Sequence, residues 1–403
     1  MPSFSMLFHW GGKIYRGLMR RFINSYLKLT RQTIVCNVNS TNFNKKCLVL
    51  YIVRPFQKIP FVKQNLNAHQ NQWQVRELVK QIGQFHYDVD VIDHDDKDIV
   101  LTQKYDLIID IYPGFNTCYA NHMNIGCKRV AYLTGMNVSV ANHAEDLRME
   151  ALAHRRGGRL PPERNAIPIS KEIEQFDAFW YIGNTYNVKS YEEFQLPEIS
   201  FIKNTGYNFL LSFNQEKKKA SNFLFFASAG QVHKGLDLLL EIFGQKDFPY
   251  SLFICSGFRN ETSFCKLYEK ELFHRKNIHA VGFVDINSSL FQEIVDQCMF
   301  SILPSCSEAT AGSVLTTMSA GLIPLVSREC GFEDDEVIQL DDCSIPTIEQ
   351  AVREYGQKDI DWGMQKSNEV KRIVEERYSE EMYRASIRSA LERLLGTKKG
   401  PLV

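Results

Sequence analysis

The chain has 403 residues, more than one typical hydrophobic core organises, so two domains are expected. Lys+Arg and Asp+Glu both total 47, which leaves no net charge and none of the global basic bias of a nucleic-acid binder. Hydrophobic residues at 44% and charged residues at 23% place it among ordinary globular proteins.

Residues 1–32 carry Lys13, Arg16, Arg20, Arg21, Lys28 and Arg31 and no acid. Tyr15, Leu18, Met19, Phe22 and Tyr26 fall at helical spacing. Residues 1–34 therefore read as a basic amphipathic segment suited to an anionic membrane surface. No run of about 18 apolar residues spans a bilayer, and the N-terminus lacks the unbroken apolar core of a secretory signal. A cytoplasmic protein, peripheral on the inner face of the membrane, is expected. The ten cysteines show no C-x-x-C spacing and read as free thiols in a reducing compartment.

From residue 47 strands and helices alternate. Cys47–Val53 is a continuous apolar run, as in a strand buried on both faces. A helix follows at 71–84, then strands at 89–92, 107–111, 129–133, 178–182 and 199–202, with a helix at 144–156. Residues 205–220 break the rhythm, and the Lys217–Lys219 run marks 206–220 as a linker. A second series begins at 223–227, with helices at 234–244, 263–272, 289–298 and 312–320. Its strands fall at 251–255, 279–283, 300–303 and 323–326, and residues 365–394 are helical. The expected fold is α/β: two doubly wound Rossmann-like domains, 35–205 and 221–375, facing each other across a cleft. Residues 376–403 form a C-terminal helix and tail.

Two stretches of the second half carry chemistry. In PSCSEATAGSVLTTMSAGLIPLVS (304–327), Glu308 stands between a buried strand and a helix start at Gly312. Thr310, Ala311, Gly312 and Ser313 let a ligand approach the backbone, and a helix N-terminus favours a phosphate. Glu308 would repel a phosphate but accept hydrogen bonds from hydroxyls beside it, which suits a nucleotide sugar. In FASAGQVHKGLDLLLEIF (226–243), the small loop Ser228–Gly230 follows a strand and Lys234 opens a helix, placed to pair with a diphosphate.

Together these stretches resemble the donor-binding half of a GT-B glycosyltransferase of the family 4 type, the glycosyl transferases group 1. The resemblance covers roughly 220–330. It implies that Lys234 holds the donor phosphates and that Glu308, first acid of an E-x7-E motif, touches the sugar. The second acid of that motif, which contacts the ribose, is replaced by Thr316, and an arginine five residues before the lysine is replaced by Ala229. The resemblance further implies an N-terminal acceptor-binding domain, retention of anomeric configuration, and no cofactor beyond the nucleotide-sugar substrate. Glu308, Lys234 and His69 are the catalytic candidates. His69, Asn71, Arg76, Gly135 and Asn184 are acceptor-side candidates, with Asn142 and His143 ahead of a helix as lining residues.

Asp88-Val89-Asp90 has the spacing of a D-x-D metal site but sits in an alternating strand, so no metal is expected there. The reading is a glycosyltransferase acting on a glycan or lipid-linked acceptor in surface polysaccharide assembly. A non-catalytic glycan-binding or scaffold protein, and a nucleotide-sugar epimerase of the same fold, are the alternatives.

Overall fold

The computed structural model describes residues 34–57 and 70–396. The cationic segment 1–32 and His69 lie outside them. The chain divides into two compact units, Met1–Val130 and Ala131–Val403.

In the first unit the elements are β1 (Ile34–Val35), β2 (Lys45–Tyr51), α1 (Gln70–Gly83), β3 (Tyr87–Asp93) and β4 (Tyr105–Asp110). The strands lie in the order β1-β3-β2-β4. β2 runs parallel to β3 and β4, and β1 lies antiparallel to β3. Cys47–Tyr51 is buried, as its unbroken apolar run requires. The DVDVID stretch does not behave as a half-exposed strand, because Tyr87–Ile92 is buried on both faces. Its acids survive burial by taking donors. Asp88 accepts from Lys46 Nζ at 2.5 Å, the Thr41 hydroxyl at 2.6 Å and the Phe43 N–H at 2.9 Å. Asp90 accepts from Gln103, Tyr105 and the Asn37 N–H. Both carboxylates tie the segment around 37–46 to the sheet. Strand β5 (Met123–Leu133) carries the chain from the first unit into the second.

The second unit opens with α2 (Val138–Arg156), capped by the Asn137 side chain on the Ser139 N–H at 2.9 Å. That cap starts the helix six residues earlier than the apolar pattern suggests, so Asn142 and His143 lie inside it rather than ahead of it. β6 (Ala178–Ile182) and β7 (Ile199–Ile202) pair in parallel. Next come β8 (Lys219–Phe226), α3 (Leu236–Phe243), β9 (Ser251–Cys255), α4 (Thr262–Leu267), α5 (Glu269–His274) and β10 (Ile278–Ala280). They are followed by α6 (Ser289–Gln297), β11 (Cys298–Leu303), α7 (Gly312–Ser319), β12 (Ile323–Ser327) and β13 (Ile338–Leu340). Helices α8 (Ile345–Tyr355), α9 (Ile360–Arg377) and α10 (Glu380–Leu395) end the described chain. The single helix expected at 263–272 is two, separated at Tyr268, whose ring is buried and whose hydroxyl donates to Glu241.

The three lysines of the 217–219 run differ: Lys217 and Lys219 are exposed, whereas Lys218 is not. Lys219 opens β8, and Lys218 is buried with its ammonium on the carbonyls of Val295 and Cys298, both at 2.9 Å. Burial pushes the Lys218 ammonium down to about 7.

The sheet of this half has the order β10-β9-β8-β11-β12-β13, with every neighbouring pair parallel. Numbered from β8, this is the 3-2-1-4-5-6 order of a doubly wound sheet, and the order reverses between β8 and β11. Those two strands are neighbours, with Phe223 opposite Phe300 and their rings stacked at 5.2 Å. The loops leaving their C-terminal ends therefore lie side by side. Helix α3 anchors one of them: Leu236, Leu238, Leu239, Leu240, Ile242 and Phe243 are all buried, each contributing roughly 1.5–3 kcal/mol.

All ten cysteines are free. Among the described residues no helix is long and apolar enough to cross a membrane.

Candidate functional site

The β8 and β11 loops meet at the switch point. Lys234 precedes α3 rather than opening it, because Gly235 caps the helix in the left-handed region at φ 79°. A Cβ on Gly235 would stand 2.5 Å from the Pro304 carbonyl oxygen, so only glycine lets the two loops pack this closely. The loops are also stitched by hydrogen bonds. The Cys306 N–H donates to the His233 carbonyl at 2.9 Å, and His233 Nε2 lies 2.8 Å from the Ser307 carbonyl.

The Lys234 ammonium forms an ion pair with Glu308 Oε1. Ser305 donates to the same oxygen at 2.8 Å. Burial would raise the Glu308 carboxyl, but Lys234, His233 and Arg164 outweigh it and hold the group below its ordinary range. The two residues singled out from the sequence thus come together across 74 positions of chain, as each other's partners.

Glu145 of α2 completes this corner. Its fully buried carboxylate lies 3.8 Å from His233 Nδ1, and the amides of Glu163 and Arg164 donate to it at 3.0 and 3.1 Å. Burial pushes the Glu145 carboxyl up, and His233 with those amides brings it below its ordinary value. Asn187 donates to the Glu308 carbonyl at 3.1 Å and the Glu329 carbonyl at 2.9 Å. Burial pushes the nearby Cys306 thiol up to about 12, which keeps it protonated.

The remaining expected donor-side residues are placed as follows. Ser228 is exposed, and its carbonyl accepts from Gln231. The Gly230 and Gln231 N–H groups donate to the Glu261 carboxylate at 2.7 and 3.1 Å, so an internal anion already occupies them. Thr310 is buried, its hydroxyl on the Gly331 carbonyl, and the Ala311 N–H donates to the Cys330 carbonyl. Gly312 and Ser313 form the first turn of α7, which has no side-chain cap at Ala311. Thr316 turns its hydroxyl back to the Gly312 carbonyl at 2.9 Å.

On the expected acceptor side, the Gly135 carbonyl accepts from the Tyr191 hydroxyl at 3.0 Å. Asn184 is buried, donating to the Phe332 carbonyl while its oxygen accepts from the Tyr186 and Asn187 amides. Asn71 and Arg76 lie on α1 in the first unit. His233, Glu145, Asn187, Glu261 and Arg164 escaped the sequence reading, because their significance lies in contacts far apart in the chain.

The family described as glycosyl transferases group 1 matches residues 209–342, which span both loops. Sucrose-phosphate synthase of Thermosynechococcus elongatus matches with a TM-score of 0.59 at 12% identity, covering 87% of this chain and 100% of that one. Anabaena HepE in complex with UDP-glucose gives 0.52 at 11% identity, covering 87% and 100%. A variant of S. aureus TarM in complex with fondaparinux, alpha-GlcNAc-glycerol and UDP gives 0.50 at 14% identity, covering 72% of this chain. This chain spans about half the length of TarM, 55%. No curated protein matches the sequence. Residues 209–342 are thus similar to the group 1 glycosyl transferases, and the fold is a mixed α/β one built on parallel sheets. The family match covers that part of the chain, and the solved structures share its fold.

Proposed function

We propose that the chain moves a sugar from a nucleotide-sugar donor to a glycan or lipid-linked acceptor, with retention and without a metal. The observation that carries this reading is the Lys234–Glu308 pair at the switch point of a parallel sheet, inside a group 1 glycosyl transferase domain. An arriving diphosphate offers Lys234 a stronger partner than one carboxylate. Lys234 and the first turn of α7 then stabilise the negative charge that grows on the leaving diphosphate. Glu308, released, accepts hydrogen bonds from sugar hydroxyls, and the departing phosphate takes the acceptor proton. Relatives of the same fold bound to UDP and UDP-glucose support this donor class. The cationic leader would hold the enzyme at the inner membrane face, beside a lipid-linked acceptor for surface polysaccharide assembly.

One set of observations favours a non-catalytic binding protein instead. Glu261 fills the Gly230–Gln231 amides, Thr316 bonds its own helix, and Lys234 is already paired. Thermal-shift screening against UDP-, GDP-, dTDP-, ADP- and CMP-sugars, followed by donor turnover, separates the two. A transferase is stabilised by one donor and consumes it, and Lys234→Ala abolishes that. A protein that neither binds nor consumes any of the five is not a transferase.

A further inference from the structure

We propose that Arg164 is a second cation for the donor diphosphate, laid over the β8 loop by the segment that follows α2. This rests on the reading of the switch point as a nucleotide-sugar site.

Arg164 is held by its backbone and left open at its side chain. Its N–H and that of Glu163 donate to the buried Glu145 carboxylate. Two residues on, Ala166 is bracketed by Asn142, which accepts from its N–H at 3.0 Å and donates to its carbonyl at 2.8 Å. The side chain then crosses Gly230: a Cβ there would stand 2.5 Å from Arg164 Cγ and 2.9 Å from Cδ. Gly230 sits at φ 85°, a conformation that favours glycine, and a Cβ there would push the arginine stem aside. Beyond that contact the guanidinium has no ion pair or side-chain hydrogen bond among the described residues. Its charge nonetheless reaches Glu308.

The three arginines of α2 differ. Arg155 is spent on Asp237 at 2.5 Å, Arg156 on Glu241 and Glu271, and Arg148 on the Pro304 carbonyl. Each ties α2 to the β8 or β11 side of the second unit. Arg164 and Arg159 have no side-chain partner among the described residues, and of the two Arg164 is the one laid against Gly230. Charge balance supplies the partner. A bound diphosphate brings at least two negative charges, and Lys234, shared with Glu308, balances one. Ala229, beside Gly230, offers none. A guanidinium meets a pair of phosphate oxygens with parallel N–H donors, as a lysine cannot.

The test is calorimetric titration of the full chain with the mono- and diphosphates of uridine, guanosine and adenosine. The wild type binds one diphosphate more tightly than its monophosphate. Arg164→Ala weakens that diphosphate roughly tenfold to a hundredfold, with less effect on the monophosphate. The melting temperature stays unchanged, because no protein partner is lost, and Arg164→Lys recovers part of the affinity. Equal diphosphate affinity in Arg164→Ala overturns the proposal and leaves the donor reading standing. A wild type that binds none of the three diphosphates overturns the donor reading, and this proposal with it.

Discussion

The two ends of β8 carry two buried lysines with opposite fates. Lys218 and Lys234 are 6% and 5% exposed, and only the strand and its loop separate them. At the N-terminal end, Lys218 donates only to backbone carbonyls, and burial outweighs the charge of Asp296 and drives it toward the neutral amine. At the C-terminal end, Lys234 meets the Glu308 carboxylate and keeps an ionic partner. One lysine fastens the strand, whereas the other holds a charge that an incoming anion can claim. Burial alone therefore does not mark a functional lysine. What marks it is a partner that can be exchanged, at the end of the sheet where loops rather than strands surround it.

The comparison breaks most visibly at Lys234. Lys234→Ala should lower donor turnover on the order of a thousandfold or more, measured by release of the nucleoside diphosphate. A loss below tenfold would put the two lysines in one class. Glu308→Gln sharpens the contrast, because it frees the ammonium from its competitor. Turnover should fall about a hundredfold while diphosphate affinity rises severalfold by calorimetry. Weaker diphosphate binding would show that Glu308 does not compete for Lys234.

Lys218→Met should leave turnover unchanged and alter only the pH profile of stability. The Lys218 ammonium is lowered to about 7, so between pH 7 and 10 the unfolded chain holds a proton that the folded chain lacks. Wild-type stability should therefore rise with pH across that window, by up to about 1.4 kcal/mol per unit from this group. Denaturant unfolding of Lys218→Met should lack that slope, and an identical slope would refute the assignment. The smallest effect is expected at Thr316→Ala. Its hydroxyl bonds its own helix, so nucleoside diphosphate affinity should change less than about threefold. A larger loss would restore a ribose contact to Thr316.

Much of the architecture was legible because it is written locally. Cys47–Val53, Ala178–Ile182 and Phe300–Leu303 are apolar runs that read as covered strands, and buried strands lie there. The α7 start at Gly312 followed from its small residues and core spacing. A misreading arose where one side chain overrode the pattern, as the Asn137 cap did for α2, and the burial of Lys218 between two exposed lysines has no local signal. The site was half legible. Lys234 and Glu308 stand out by residue type beside glycine-rich turns, but their pairing with each other is not encoded near either one.

The sequence by itself determined the alternation of strands and helices, the small-residue turns and the type of each charged group at the two loops. These depend on periodicity and backbone freedom within a few residues. Tertiary structure alone decided that Glu261 fills the Gly230 amides and that Glu145 fixes the segment bearing Arg164. It also left that arginine without a partner among the described residues. Such choices arise because hydrogen bonds and charges are settled by distance in space, and the strand order β10-β9-β8-β11 brings together loops that lie some 70 residues apart.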